Sequence, residues 1–171
     1  DPFPLGGLSN LGRWLILLAS TPADASRQHM KFGLLIPLAF PYATRAFVER
    51  LGTLAEAHGF DSLWIGEHVV IPTVLTSEYP VSDDGQLPSA VRYGELDPWT
   101  TICFLAAVTQ RIRLGACTIV PQRNPVYSAK EAANADWLSV GRVDFGAWIG
   151  WAKEEFEAAG VRFERRGARC N

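Results

Sequence analysis

The sequence predicts an α/β protein built on a parallel sheet. Three observations carry that prediction. Short runs that are apolar on both faces, such as Leu34-Leu35-Ile36 and Leu63-Trp64-Ile65, recur along the chain. Each is followed by a stretch of helical period, most of them opened by a capping residue and closed by glycine. Titratable and aromatic residues gather where the runs end, not where they begin.

The elements follow in order. "KFGLLIP" is a buried strand stopped by Pro37. "TRAFVERLGTLAEAHG" places Phe47, Val48, Leu51, Leu54 and Ala55 on one helical stripe, with Thr44 to cap it and Gly59 to end it. "SLWIGEH" is the second strand, and a polar segment rich in Pro and Gly runs from Val69 to Leu96. "DPWTTICFLAAVTQ" is a second helix, with Asp97 as N-cap and Pro98 at the first position, where a missing N–H costs nothing. "IRLGACTIV" is the third strand, stopped by Pro121. "NPVYSAKEAANADWLSVG" repeats the Asn/Asp-Pro opening and ends at Gly141. "RVDFGAWIG" is the fourth strand. "AKEEFEAAG" is a fourth helix without a clear cap, ended by Gly160.

The order β-α-β-α-β-α-β-α leaves two architectures, an open doubly wound sheet or part of a (β/α)8 barrel. The first strand is not followed by GxGxxG, which weakens the dinucleotide-binding form of the open sheet. A complete barrel needs roughly 250 residues. The chain has 171, and only those from Met30 onward fit the pattern. Residues 1–29 read as an extension outside the fold, with Met30 as the natural start. The short apolar patch from Trp14 to Ala19 is far below membrane-spanning length.

Composition narrows the function classes. The chain is 48% hydrophobic and 20% charged, with a formal net charge of −2. Nothing in that balance attracts nucleic acid or a membrane, and Arg165, Arg166 and Arg169 are too few for a basic arm. Cys103, Cys117 and Cys170 lack metal spacing and agree with a reducing cytoplasm. No P-loop, metal-ligand spacing or Ser-His-Asp order supports a kinase or hydrolase.

In either architecture ligands bind at the carboxyl ends of the strands. Glu67 and His68 follow strand two. Cys117, Thr118, Gln122, Arg123 and Asn124 end or follow strand three, and Trp148, Gly150 and Trp151 end or follow strand four. Plainer roles stand beside the chemical ones. His68 or Glu67 can bond the loop, Cys117 can be a small buried hydrophobe, Asn124 is first a helix cap, and the two tryptophans can be packing.

At these residues the sequence resembles the luciferase-like monooxygenase superfamily, and within it the oxidoreductases that use coenzyme F420. The resemblance runs from Met30 to about Arg169. It rests on "WIGEH", on "RIRLG…PQRNP…AK", and on "GR…FG…GW…EEF". It implies a (β/α)8 TIM barrel of which about the first four βα units are present, a half barrel over 30–171. It implies an oxidoreductase moving hydride between the deazaflavin F420 and a small organic substrate, with an FMN-dependent monooxygenase as the alternative. A non-catalytic half-barrel or homodimerisation module is the alternative of another class. By resemblance His68 is catalytic, and Glu67, Cys117, Thr118, Asn124 and Gly150 border the cofactor. The resemblance also implies a non-proline cis peptide between Cys117 and Thr118. Two departures stand out. Trp148 falls where the family commonly has a small residue, and Trp151 falls where some members carry a catalytic Glu. A half barrel would also bare its strand edges and inner face, so the chain alone is expected to be marginal or to self-associate.

Overall fold

The computed structural model describes residues 30–36, 38–89 and 91–170. The expectations for residues 1–29 and for Pro37 lie outside the described residues. Four strands, β1 (Gly33–Ile36), β2 (Ser62–Ile65), β3 (Arg113–Ile119) and β4 (Val143–Trp148), form one sheet in the order β1-β2-β3-β4. Every pair is parallel: Leu34 lies opposite Leu63, Leu63 opposite Leu114, and Leu114 opposite Val143. Three crossover helices join them, α1 (Arg45–Ala57), α2 (Pro98–Val108) and α3 (Pro125–Ser139), and α4 (Lys153–Ala158) and α5 (Arg166–Arg169) follow.

The local signals act as their chemistry requires. Thr44 Oγ1 accepts from Phe47 N at 3.2 Å, Asp97 Oδ1 from Thr100 N at 2.9 Å, and Asn124 Oδ1 from Val126 N at 3.0 Å. Gly59, Gly141 and Gly160 take φ of 79°, 79° and 68° just beyond α1, α3 and α4, the left-handed turn that ends a helix. β3 stops one residue early, because Val120–Gln122 forms a 3-10 turn around Pro121.

The sheet has two unlike faces. Leu63, Ile65, Leu114 and Ala116 point to the helices and pack with Val48, Ile102, Leu105 and Ala135 in the main core. Trp64 lies on the other face. An added Cβ at Gly115 would sit 2.4 Å from its indole, one at Gly146 3.1 Å, and one at Gly33 3.3 Å. Glycines on three strands thus make the bed on which one indole lies.

The end of the sheet where the strands begin is clamped by two charged side chains. Glu56 of α1 accepts from the successive N–H groups of Gln110, Arg111 and Ile112, at 2.9, 2.5 and 2.9 Å to one oxygen. Those bonds hold its carboxyl below the usual range against a burial effect that would raise it. Arg142 reaches the carbonyls of Ser139, Ile112 and Ala106 at 2.7, 2.9 and 3.0 Å. Together they join α1, α2, α3 and the starts of β3 and β4.

Candidate active site at the carboxyl ends of the strands

The long segment after β2 folds back over the strand ends. It is stitched to the chain beyond β1 by a bridge between Ala39 and Glu95 and by Leu96 N on Leu38 O at 3.1 Å. Its other anchor is α4, whose N-cap Ala152 makes no side-chain cap bond. The loop supplies what the local sequence lacks. Ser77 Oγ accepts from Lys153 N at 3.0 Å. In return Glu154 accepts from Thr76 N at 2.7 Å, Thr76 Oγ1 at 2.5 Å and Ser77 N at 3.0 Å. Those donors, led by the Thr76 hydroxyl, pull the Glu154 carboxyl down to about 2.

His68 sits under this loop with its side chain 15% exposed. Its Nδ1 is 3.4 Å from Oε2 of Glu155, a carboxylate of α4 that is fully buried. The Trp151 ring stands edge-on to the imidazole at 6.0 Å, and Tyr79 packs on Trp151 at 5.1 Å. Burial disfavours an imidazolium here, but Glu155, then Glu95 and Glu67, outweigh it and raise the His68 pKa. Glu95, in turn, is pushed up by burial, only partly offset by His68.

Glu67, next in sequence, does something different. Its side chain is 1% exposed and accepts from Ile119 N at 2.5 Å and from Arg123 Nε at 2.7 Å. Burial raises its carboxyl and these partners offset the rise in part. Arg123 also reaches Glu131 at 2.5 Å and Asp97 at 3.2 Å. Glu67 therefore ties the end of β2 to the end of β3 and to the starts of α2 and α3.

The other candidates are placed as follows. Cys117 is buried, and burial followed by the Glu67 charge pushes its thiol up to about 11, the state of an inert packing residue. Thr118 shares the pleat of Leu114 and Ala116, so its side chain points to the helix layer, where its hydroxyl is buried without a hydrogen-bond partner. Asn124 is exposed and occupied in capping α3. Gly150 has φ 73°, and an added Cβ would lie 2.8 Å from Phe156 and 2.9 Å from Ile119, so both conformation and packing require glycine. Its carbonyl accepts from Arg166 Nε at 3.0 Å.

One expectation is corrected. The Cys117–Thr118 peptide is trans; among the described residues the cis bond is Phe40–Pro41. Cys117 and Thr118 lie within an unbroken ladder, opposite Gly146 and Ala147, and a cis bond there would interrupt the pairing. Trp148, the unexpected bulk of β4, is 45% exposed rather than crowded into a core. The sequence reading did not foresee Glu95 or Tyr79 at the site, nor the Glu155 and Arg123 pairings. Glu155 had one usable signal, an acid near Trp151 in the "GW…EEF" block.

The arrangement offers a nearly buried imidazole, its pKa raised by flanking carboxylates, at the common end of parallel strands. The described residues contain no helix long and apolar enough to cross a membrane and no cluster with metal-binding geometry. Comparison with known proteins agrees with the fold. The chain is 36% identical over 138 residues to the Mycobacterium tuberculosis protein Rv0953c, covering 80% of this chain and 48% of that relative. It superposes on the monooxygenase RslO1 of Streptomyces bottropensis with a TM-score of 0.58 at 26% identity, over 78% of this chain and 37% of that one. It superposes on the coenzyme F420-dependent tetrahydromethanopterin reductase of Methanopyrus kandleri with a TM-score of 0.51 at 24% identity, over 77% of this chain and 29% of that one. The chain thus spans about half the length of the first relative and less of the two solved structures. The family model for luciferase-like monooxygenases matches residues 30–171, and the chain belongs to that family of oxidoreductases.

Proposed function

We propose that the chain carries the proton-handling part of an F420-dependent oxidoreductase, in which hydride passes between a deazaflavin and a small organic substrate. The observation that carries the reading is His68, a nearly buried imidazole at the strand ends with the Glu155 carboxylate 3.4 Å from its Nδ1, a setting that raises its pKa. Such a group can donate a proton to a substrate oxygen as hydride arrives at the neighbouring carbon, or take one in the reverse direction. When bound, the deazaflavin supplies the hydride chemistry; the protein supplies orientation and protection from water.

The residues fit a flat redox ring. Trp148 and Ile149 offer exposed apolar surface at the end of β4, and Oε2 of Glu95 is buried without a hydrogen-bond partner among the described residues. In this reading the chain at Cys117 and the Gly150 turn border the ring through their backbone. Glu67, Thr118 and Asn124 act behind it: Glu67 by joining β2 to β3, Thr118 in the helix layer, and Asn124 at the start of α3. The likeness to RslO1, a monooxygenase, favours a second reading, monooxygenation, for which we take FMN as the cofactor whose reduced form activates dioxygen.

The test is an anaerobic titration of the chain with F420 and with FMN, followed by absorbance and fluorescence. The protein is then assayed for substrate-linked oxidation of F420H2 and for oxygen uptake. F420 binding, with turnover that falls at least a hundredfold in His68→Ala, is expected. FMN binding with substrate-dependent oxygen uptake would replace this reading by the second. A folded chain that binds neither would refute both.

A further inference from the structure

We propose that Glu155 is the positioning residue for His68: it fixes Nδ1 as the protonated nitrogen that faces α4 and leaves Nε2 as the nitrogen available to a substrate. The inference deepens the role given to His68 and rests on it. The geometry sets Glu155 apart from every other acid at the site. It is fully buried and its Oε2 lies 3.4 Å from His68 Nδ1; that oxygen, like Oε2 of Glu95 and of Glu154, has no hydrogen-bond partner among the described residues. Among the described residues, the bond to its Oε1 comes from Val70 N, at 3.4 Å. A carboxylate so poorly supplied with donors is costly to bury unless a positive charge stands beside it.

His68 is the group within reach that can carry that charge. The other groups facing the imidazole have the same sign as Glu155 or none: Glu95 from the loop before α2, Glu67 from the end of β2, and the Trp151 ring, with the Tyr79 phenol behind it. Glu67 already has Arg123. Glu154, the adjacent acid, is committed to Thr76 and Ser77 of the loop. The two neighbouring glutamates thus divide two tasks. One holds the loop, and the other completes a carboxylate–imidazole pair whose ring is steadied on another side by Trp151. A carboxylate on Nδ1 selects the Nδ1–H tautomer of the neutral ring and stabilises the imidazolium. The raised pKa of His68, with Glu155 the largest favourable cause, agrees with this assignment.

The experiment is long-range 1H–15N NMR of the uniformly labelled chain between pH 5 and pH 9. The sequence has three histidines, so His68→Asn assigns the signal. In the wild type the neutral ring of His68 should be the Nδ1–H tautomer. In Glu155→Gln its proton affinity should fall about tenfold, a shift of about one pH unit. Glu154→Gln, which loosens the loop that bears Glu95, should move the midpoint by less than half as much, and Glu155→Asp should lie between wild type and Glu155→Gln. An unchanged midpoint in a folded Glu155→Gln chain overturns the proposal, as does an equal shift in Glu154→Gln. Should Glu155→Gln fail to fold, the wild-type tautomer decides: Nε2–H in the neutral ring rejects the pairing and Nδ1–H sustains it. The NMR result is independent of turnover. A catalytically silent His68→Ala would therefore remove the chemical role of His68 without touching the pairing.

Discussion

Replacing Arg123 by Met tests how far the end of the sheet depends on one buried ion pair. Met keeps much of the apolar stem and removes the guanidinium. The Glu67 side chain, 1% exposed, then keeps its bond from Ile119 N but loses its counter-ion. Stranding a buried charge in this way costs about 3–5 kcal/mol. The Asp97 and Glu131 pairs add little, because those side chains are 44% and 43% exposed and such pairs contribute roughly 0–1 kcal/mol each. A single domain has only about 5–15 kcal/mol in hand, so the variant should stand close to unfolding at neutral pH.

The pH dependence supplies a second check on the same variant. The Glu67 carboxyl is already raised in the folded chain, chiefly by burial, and removing Arg123 raises it further. A folded acid with a raised pKa holds a proton that the unfolded chain has released. Stability therefore increases as pH falls through that range, by about 1.4 kcal/mol per pH unit at most. Urea unfolding followed by tryptophan fluorescence should show a loss about 1–3 kcal/mol larger at pH 8 than at pH 5. Adding Glu67→Gln to Arg123→Met should recover part of the loss, because the stranded charge is gone. A loss below about 1 kcal/mol at pH 8, or an equal loss at both pH values, would refute the claim that Glu67 is a buried charge dependent on Arg123.

Three further outcomes are expected. Gly115→Ala would put a methyl group 2.4 Å from the Trp64 ring, and forced repacking of this kind costs about 1–3 kcal/mol; denaturation should show Trp64→Leu relieving it in the double variant. Glu154→Gln should speed amide exchange at Thr76 and Ser77 and proteolysis within the loop. In the wild type the depressed carboxyl makes that anchoring complete above the ordinary value of 4.5, and it should be lost as pH falls through about 2. Phe145, Trp148 and Ile149 on and beside the β4 edge are 45%, 45% and 46% exposed, so light scattering should find the chain self-associating, and Trp148→Lys should lower the apparent mass. A monodisperse monomer at tens of micromolar would count against that edge as a contact surface.

The elements that could be read from sequence are those whose signals are local. Thr44, Asp97 and Asn124 each cap the helix they precede, and Gly59, Gly141 and Gly160 lie just past the ends of three helices. Apolar runs fixed the four strands to within a few residues, and the parallel order followed from the alternation with helices. The placement of Glu67 and His68 at a strand end was equally local. Their partners were not. Arg123 lies 56 residues beyond Glu67, and Val70 meets Glu155 across 85. No periodicity encodes such a meeting. The orientation of Thr118 is local too, since its pleat is shared with Leu114 and Ala116. The trans bond at Cys117–Thr118 shows the limit of resemblance: a family feature was carried onto a ladder that pairs without interruption here.

The clamp of Glu56 and Arg142 has a consequence for how this architecture can change. It pins the floor of the sheet, at the opposite end from His68, with bonds that span three helices and two strand starts. The floor of β3 and β4 is thereby held independently of the rim, where a redox ring would enter. Rim side chains that take no part in the Glu67–Arg123 tie can be exchanged, and specificity with them, while the foundation under β3 and β4 is left alone.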